Sequence, residues 1–234
     1  MDSNWPGHEG RDTLFLPFAS ACETFVRNYI KILTKLAMSP LAQHILAQAQ
    51  ALPEGGLLSP KAFLHLGSRT AVDQTLSRLA RDGKLLRLGR GAYALPVQGR
   101  FGVRPPTGAS VVQAIELSSG ETVVASGAAE ANGLGLTTQV PTREVYLTSG
   151  PSRRLTLGNR AIELRHGNRW QMLLGKRPAG QAIRALIWLG PEQTPQVLEG
   201  LKNQLPTHEW EALLQARASL PSWMAKAVSE VALG

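Results

Sequence analysis

The sequence predicts an α+β fold in two parts. Three observations predict it. Residues 38–96 read as helix, short helix, helix and hairpin, in an order set by capping residues and glycine turns. From Gly108 the pattern changes to short apolar strands mixed with Ala- and Gly-rich helices. After Pro191 only two or three amphipathic helical patterns remain. A chain of 234 residues can build one large or two small domains, each with its own core.

Residues 1–37 form an N-terminal extension. Met1 to Thr13 is polar and rich in turn formers, and Leu14 to Ala37 has a helical pattern with Phe18, Cys22, Phe25 and Tyr29 tending to one side. Bases and acids balance there, so the segment adds no net charge. Met38 stands directly before a helix start, so translation from Met38 is an alternative that would leave residues 1–37 out of the protein.

Ser39-Pro40 opens the next helix: serine caps it, and proline fits the first helical position, where a missing N–H costs nothing. Leu41, Ile45, Ala49 and Leu52 form its apolar stripe, and Pro53-Glu54-Gly55-Gly56 ends it. The same Ser-Pro chemistry at Ser59-Pro60 predicts a short helix within residues 58–67, closed by Gly67. Ser68 to Gly83 predicts the helix around which the chain is organised. Ser68 caps it, Gly83 closes its last turn, and Val72, Leu76, Leu79 and Ala80 fall on one stripe at about 3.6 residues per turn. The opposite face carries Thr70, Gln74, Ser77, Arg78 and Arg81, none of them acidic, with Asp73 on the flank. Leu85–Leu88 and Ala92–Leu95 follow as strands joined by Gly89-Arg90-Gly91, a hairpin with arginine at its tip. Two helices at helix-turn-helix spacing, a third before them and a hairpin after make a winged helix-turn-helix over 38–96.

Residues 97–107 are predicted to be a linker, because prolines disfavour helix and glycines disfavour strand. The second part, 108–234, predicts a helix at Ser110–Leu117 with Val111, Ala114 and Ile115 inward, a strand at Thr122–Ala125 and a short helix at Gly127–Leu134. Strands are predicted at Glu144–Thr148, Arg154–Leu157 and Ala161–His166, the last two as a hairpin through Gly158-Asn159, and a helix at Gln181–Leu189. Trp210, Leu213, Leu214 and Leu220 are predicted to seal the core.

Charge points to a polyanion. The chain carries +8 with a pI of about 10.1. Residues 38–106 hold nine bases against three acids, a net +6. Such a surface binds double-stranded DNA with strong salt dependence, because each neutralised phosphate releases counterions. Candidate DNA-binding residues are Ser59, Lys61, Ser68, Arg69, Thr70, Gln74, Ser77, Arg78, Arg81, Lys84, Arg87 and Arg90. Thr70, Gln74, Ser77 and Arg78 would read or position in the major groove, while Arg81, Lys84, Arg87 and Arg90 would hold phosphates or the minor groove. The alternative use of such a domain is docking a protein partner.

Cys22 is the one cysteine, which excludes an internal disulfide and suits a reducing cytoplasm. The one candidate apolar run is interrupted by Glu23, Arg27, Lys31 and Lys35, and the first residues lack a secretory pattern. A cytoplasmic protein with no membrane partner is expected. An enzyme is not: a metal-dependent nuclease would need clustered carboxylates, yet no aspartate follows Gly83, and Glu163 and Glu121 are the best candidates. A salt bridge at a strand edge is the expected role of Glu163. His8, His44, His65, His166 and His208 are scattered without ligand spacing, so neither metal nor cofactor is expected. Gly133-x-Gly135 lacks a phosphate-loop lysine, and Ser126 lacks His and acid partners.

Three segments carry a family resemblance: Ser59-Pro-Lys-x-Phe-Leu, Gly67-Ser-Arg-x-Ala-Val-Asp-x-x-Leu-x-Arg-Leu, and Gly89-Arg-Gly-x-Tyr93. With Ala128-Ala129, Leu134-Gly-Leu-Thr-Thr-Gln-Val-Pro141 and Tyr146-Leu-Thr148, they resemble AbiEi-type antitoxins over roughly residues 38–190. The resemblance implies a winged helix fused to a mixed α/β antitoxin-like domain. It implies autorepression of a type IV toxin–antitoxin operon through operator inverted repeats. It also implies a nucleotidyltransferase-like toxin as functional partner, counteracted without an obligatory tight complex. By residue, it places Ser68, Arg69, Arg78 and Arg90 in the DNA-contacting part. Residues 1–37 have no counterpart in it.

Overall fold

The computed structural model describes residues 38–100 and 102–233, and the architecture is mixed α+β. The N-terminal extension lies outside the described residues.

Helix α1 (Pro40–Ala51) starts where the Ser-Pro chemistry puts it: the Ser39 hydroxyl accepts from the Ala42 N–H at 3.3 Å, and Pro40 is the first helical residue. Ala42, Ile45 and Ala49 are its buried stripe. The short helix expected over 58–67 is smaller than the sequence suggests. Leu57 and Leu58 form strand β1, and only Pro60–Phe63 coil, as one 3₁₀ turn capped by Ser59. The reason is pairing, since Leu57 and Leu58 stand opposite Ala94 and Tyr93 and complete a small sheet. Helix α2 (Arg69–Arg81) follows, capped by Ser68, which accepts from the Ala71 N–H at 3.3 Å. Val72, Leu76 and Leu79 are buried; Ala80 is only half-buried.

Strands β2 (Leu86–Gly89) and β3 (Ala92–Ala94) pair antiparallel, giving a three-stranded sheet in the order β1-β3-β2. Residues 97–107, expected as a linker without strands, instead hold an antiparallel hairpin, β4 (Val97–Gly99) with β5 (Gly102–Arg104). The glycines end the strands rather than break them: Gly99 pairs with Gly102, which takes φ +113°, and Pro105 and Pro106 fall after the hairpin.

Helix α3 (Gly108–Ser119) begins two residues earlier than predicted, because Thr107 caps it by accepting from the Ser110 N–H. Val111, Ala114 and Ile115 are buried, as their spacing requires. Strand β6 (Val123–Ala125) and helix α4 (Gly127–Gly133) precede β7 (Glu144–Thr148), β8 (Arg153–Leu157) and β9 (Arg160–His166). The sheet order is β6-β7-β9-β8. The β8–β9 hairpin is antiparallel, as the Gly158-Asn159 turn predicts, and β7 pairs parallel with β9. Helices α5 (Pro178–Leu189), α6 (Thr194–Gln204), α7 (Thr207–Ala216) and α8 (Ser222–Leu233) complete the chain. Trp210, Leu213 and Leu220 are buried among them, and Leu214 packs partly buried against the same cluster. No described helix is long and apolar enough to cross a membrane.

The two parts share a core. Leu88 and Ala94 of the N-terminal sheet are buried with Val111, Ile115, Val123, Leu155 and Ile162. Gly55 marks the closest approach. It takes φ +82°, and a Cβ there would lie 2.5 Å from the Ser110 carbonyl carbon, so only glycine lets the turn after α1 rest on α3.

Candidate nucleic-acid interface

Helix α2 presents two adjacent rows of side chains away from its buried stripe. Thr70, Gln74, Arg78 and Arg81 form the outer row, at spacings of four, four and three, and all four are exposed. Arg69, Asp73 and Ser77, spaced by four, form the second row, which faces the β2–β3 hairpin. There Ser59, Lys61, Arg69, Ser77, Arg87 and Arg90 line a cleft of about 540 Å3 with Pro60, Asp73, Gly91 and Tyr93. Six of the twelve predicted residues therefore converge on one cleft, and four more project from the adjoining helix face.

The cleft is basic but not free of acid. Asp73, expected on the flank, lines it, and the Arg69 Nε donates to the Asp73 Oδ2 at 2.9 Å. Both side chains are about half exposed. The pair holds Arg69 along the helix, and the i,i+4 spacing was the signal in the sequence. Tyr93, read from the sequence only as part of the hairpin and its motif, is buried and also lines the cleft.

Ser59 and Ser68 cap their helices and keep a hydroxyl proton spare. Each oxygen accepts from a backbone N–H, of Lys61 and of Ala71. Each hydroxyl still has its proton to donate to a phosphate oxygen. Lys84 is not part of the cleft. It lies past the C-terminus of α2, where its Nζ donates to the Met38 sulfur at 3.0 Å.

The carboxylates weighed for metal chemistry hold arginines instead. Glu121 Oε2 receives Arg153 at 2.8 Å and the Thr148 hydroxyl at 2.7 Å. Burial pushes its carboxyl up, but those hydrogen bonds outweigh it and hold the group below the ordinary range. Glu163 binds Arg165 on its own strand at 2.7 Å, and that hydrogen bond lowers its pKa. The salt bridge is as expected, but its place is not: β9 lies between β7 and β8, so Glu163 is not on a sheet edge. Among the described residues no group of His, Cys, Asp and Glu is arranged to hold a metal ion.

No curated protein matches the chain. A solved structure, the RV2827C protein from Mycobacterium tuberculosis, is similar at 14% identity and a TM-score of 0.44, over 83% of this chain and 77% of that one. Residues 44–207 match the family of unknown function DUF6088, a span that takes in the cleft and all three sheets, and the chain belongs to that family.

Proposed function

We propose that residues 38–96 are a winged helix-turn-helix and that the protein is a DNA-binding transcriptional repressor. One observation carries this reading. Lys61, Arg69, Arg87 and Arg90 meet in a single cleft beside a helix face on which Gln74 and Arg78 stand exposed. Glutamine and arginine can read base edges, and the cleft arginines and lysine can hold the backbone on either side. Together with the resemblance to AbiEi-type antitoxins, this supports autorepression of a toxin–antitoxin operon, with a nucleotidyltransferase-like toxin as the functional partner and the cytoplasm as the setting.

Arg78→Ala and Arg90→Ala are expected to weaken binding to the DNA upstream of the protein's own gene. A lost base contact costs about 1–3 kcal/mol, and a lost phosphate contact lowers the salt slope by about one. Fluorescence anisotropy over a range of KCl concentrations checks both. Unchanged affinity in both variants would refute the placement of α2 and the hairpin on DNA. A second reading, protein docking, is favoured by Leu64 and Leu66, which are 45% and 37% exposed in the turn before α2. Failure of the wild-type protein to retain a duplex at moderate salt would select it.

A further inference from the structure

The four-stranded sheet carries arginines outside any close ion pair among the described residues, although Arg143 and Arg154 stand near enough to Glu163 to help keep its carboxyl charged. Arg143 precedes β7, Arg154 lies on β8 and Arg160 opens β9. These three line a cavity of about 520 Å3 together with Thr142, Glu144 and Glu163. A second cavity, of about 590 Å3, shares Glu144, Asn159 and Arg160 with it and reaches Arg104. Arg143, Arg154 and Arg160 are exposed, and none forms an ion pair among the described residues. Their neighbours differ: Arg165 is held by Glu163 and Arg104 by Glu54.

Spacing suits a repeating polyanion. In the register Arg154 stands opposite Glu163 and Arg160 opposite Leu157, three residues along, so the two lie about 10 Å apart along the strands and on opposite pleats, and they meet at the cavity at the end of the sheet. Each phosphate of one DNA strand is set about 3.4 Å further along the axis, so arginines about 10 Å apart can reach different phosphates rather than share one. Arginine forks bind phosphate oxygens in pairs, and fixed strands hold these forks apart at constant distance.

The strip also adjoins the cleft. Gly89, next to Arg90, lies so near β8 that a Cβ would be 3.5 Å from the Arg154 carbonyl oxygen and 3.4 Å from the Leu155 side chain. Leu86 and Leu88 pack in the same core as Leu155 and Leu157. We propose that Arg143, Arg154 and Arg160 form a second phosphate-binding surface, which continues the duplex path from Arg90 onto the C-terminal sheet. The proposal rests on the reading of α2 and the hairpin as DNA-binding.

The test uses the full chain and a fluorescein-labelled random-sequence duplex of about 40 base pairs, roughly four helical turns. The R143Q/R154Q/R160Q variant is expected to lose about 2–3 from the slope of log K against log[KCl]. The K202Q/R217Q/K226Q variant, which removes as many charges from the C-terminal helical region, should keep the wild-type slope. The R143K/R154K/R160K variant should keep most of the slope. An unchanged slope in R143Q/R154Q/R160Q, with binding still weakened by R78A/R90A, would overturn the proposal and leave the helix reading intact. Equal losses in the two glutamine variants would mark a general charge effect and also overturn it. If R78A/R90A bound normally while R143Q/R154Q/R160Q failed, the arginine surface would stand and the helix reading would fall.

Discussion

Glu54 ties three segments of chain together. Its Oε1 receives the Arg104 guanidinium at 3.1 Å and the Thr107 N–H at 3.1 Å, and its Oε2 receives Arg104 again at 3.3 Å. The Arg104 hydrogen bonds, then the Thr107 N–H, hold its carboxyl below the ordinary 4.5. A lowered folded pKa stabilises the fold at pH above the unfolded value, and the effect fades as pH falls through the folded one. Glu54→Gln should therefore melt below the wild type at pH 7, and the gap should close from about pH 4.5 downwards. Thermal melts across pH 7 to 3 check this; a gap that stays constant would mean the charge is idle. In the sequence Glu54 is only a turn residue, since its partners are 50 and 53 positions away and leave no local trace. By contrast Ser39, Ser59, Ser68 and their prolines or glycines could be read directly, because capping is decided within three residues.

At the scale of elements, α4 and α5 make the tightest pair in the second part. A Cβ on Gly127 would lie 2.4 Å from the Arg184 carbonyl oxygen, so this Gly- and Ala-rich helix has no room for larger side chains at that crossing. Inside the pair Arg184 is fully buried. Its Nε and Nη2 donate to the Glu130 Oε1 at 3.1 and 2.7 Å, while its Nη1 has no partner among the described residues. Removing one member of such a pair leaves a buried charge and costs about 3–5 kcal/mol, whereas replacing both with apolar groups is often neutral. Glu130→Leu should thus lower stability by about 3 kcal/mol in urea denaturation, and adding Arg184→Met should recover most of it. Additive losses in the double variant would mean the two residues act separately. Helices α1, α2 and α3 were legible from caps and apolar period. Strand β1 was not, because two residues carry no period, and the parallel pairing of β7 with β9 depends on an arrangement that adjacent residues do not encode.

At the scale of the molecule, the described residues form three apolar clusters: one under α1 and α2, one between the three-stranded and four-stranded sheets, and one among the C-terminal helices. The middle one takes Leu88 and Ala94 from the first part and Val111, Leu155 and Ile162 from the second. The strand reading of Leu85–Leu88 did not say what its apolar side chains pack against. The linker reading rested on the prolines and glycines of 97–107, and it implied independence where the packing gives none. A fragment of residues 38–107 should accordingly show no cooperative urea transition, because it would expose the face that Leu88 and Ala94 bury, while the full chain unfolds cooperatively. A sharp transition in the fragment would mean the first cluster suffices alone. The bare backbone of Gly89 against β8 has one more consequence. On the proposed reading, a molecule whose two parts meet there works like a caliper with a set opening, so any bend in the complex would come from the duplex.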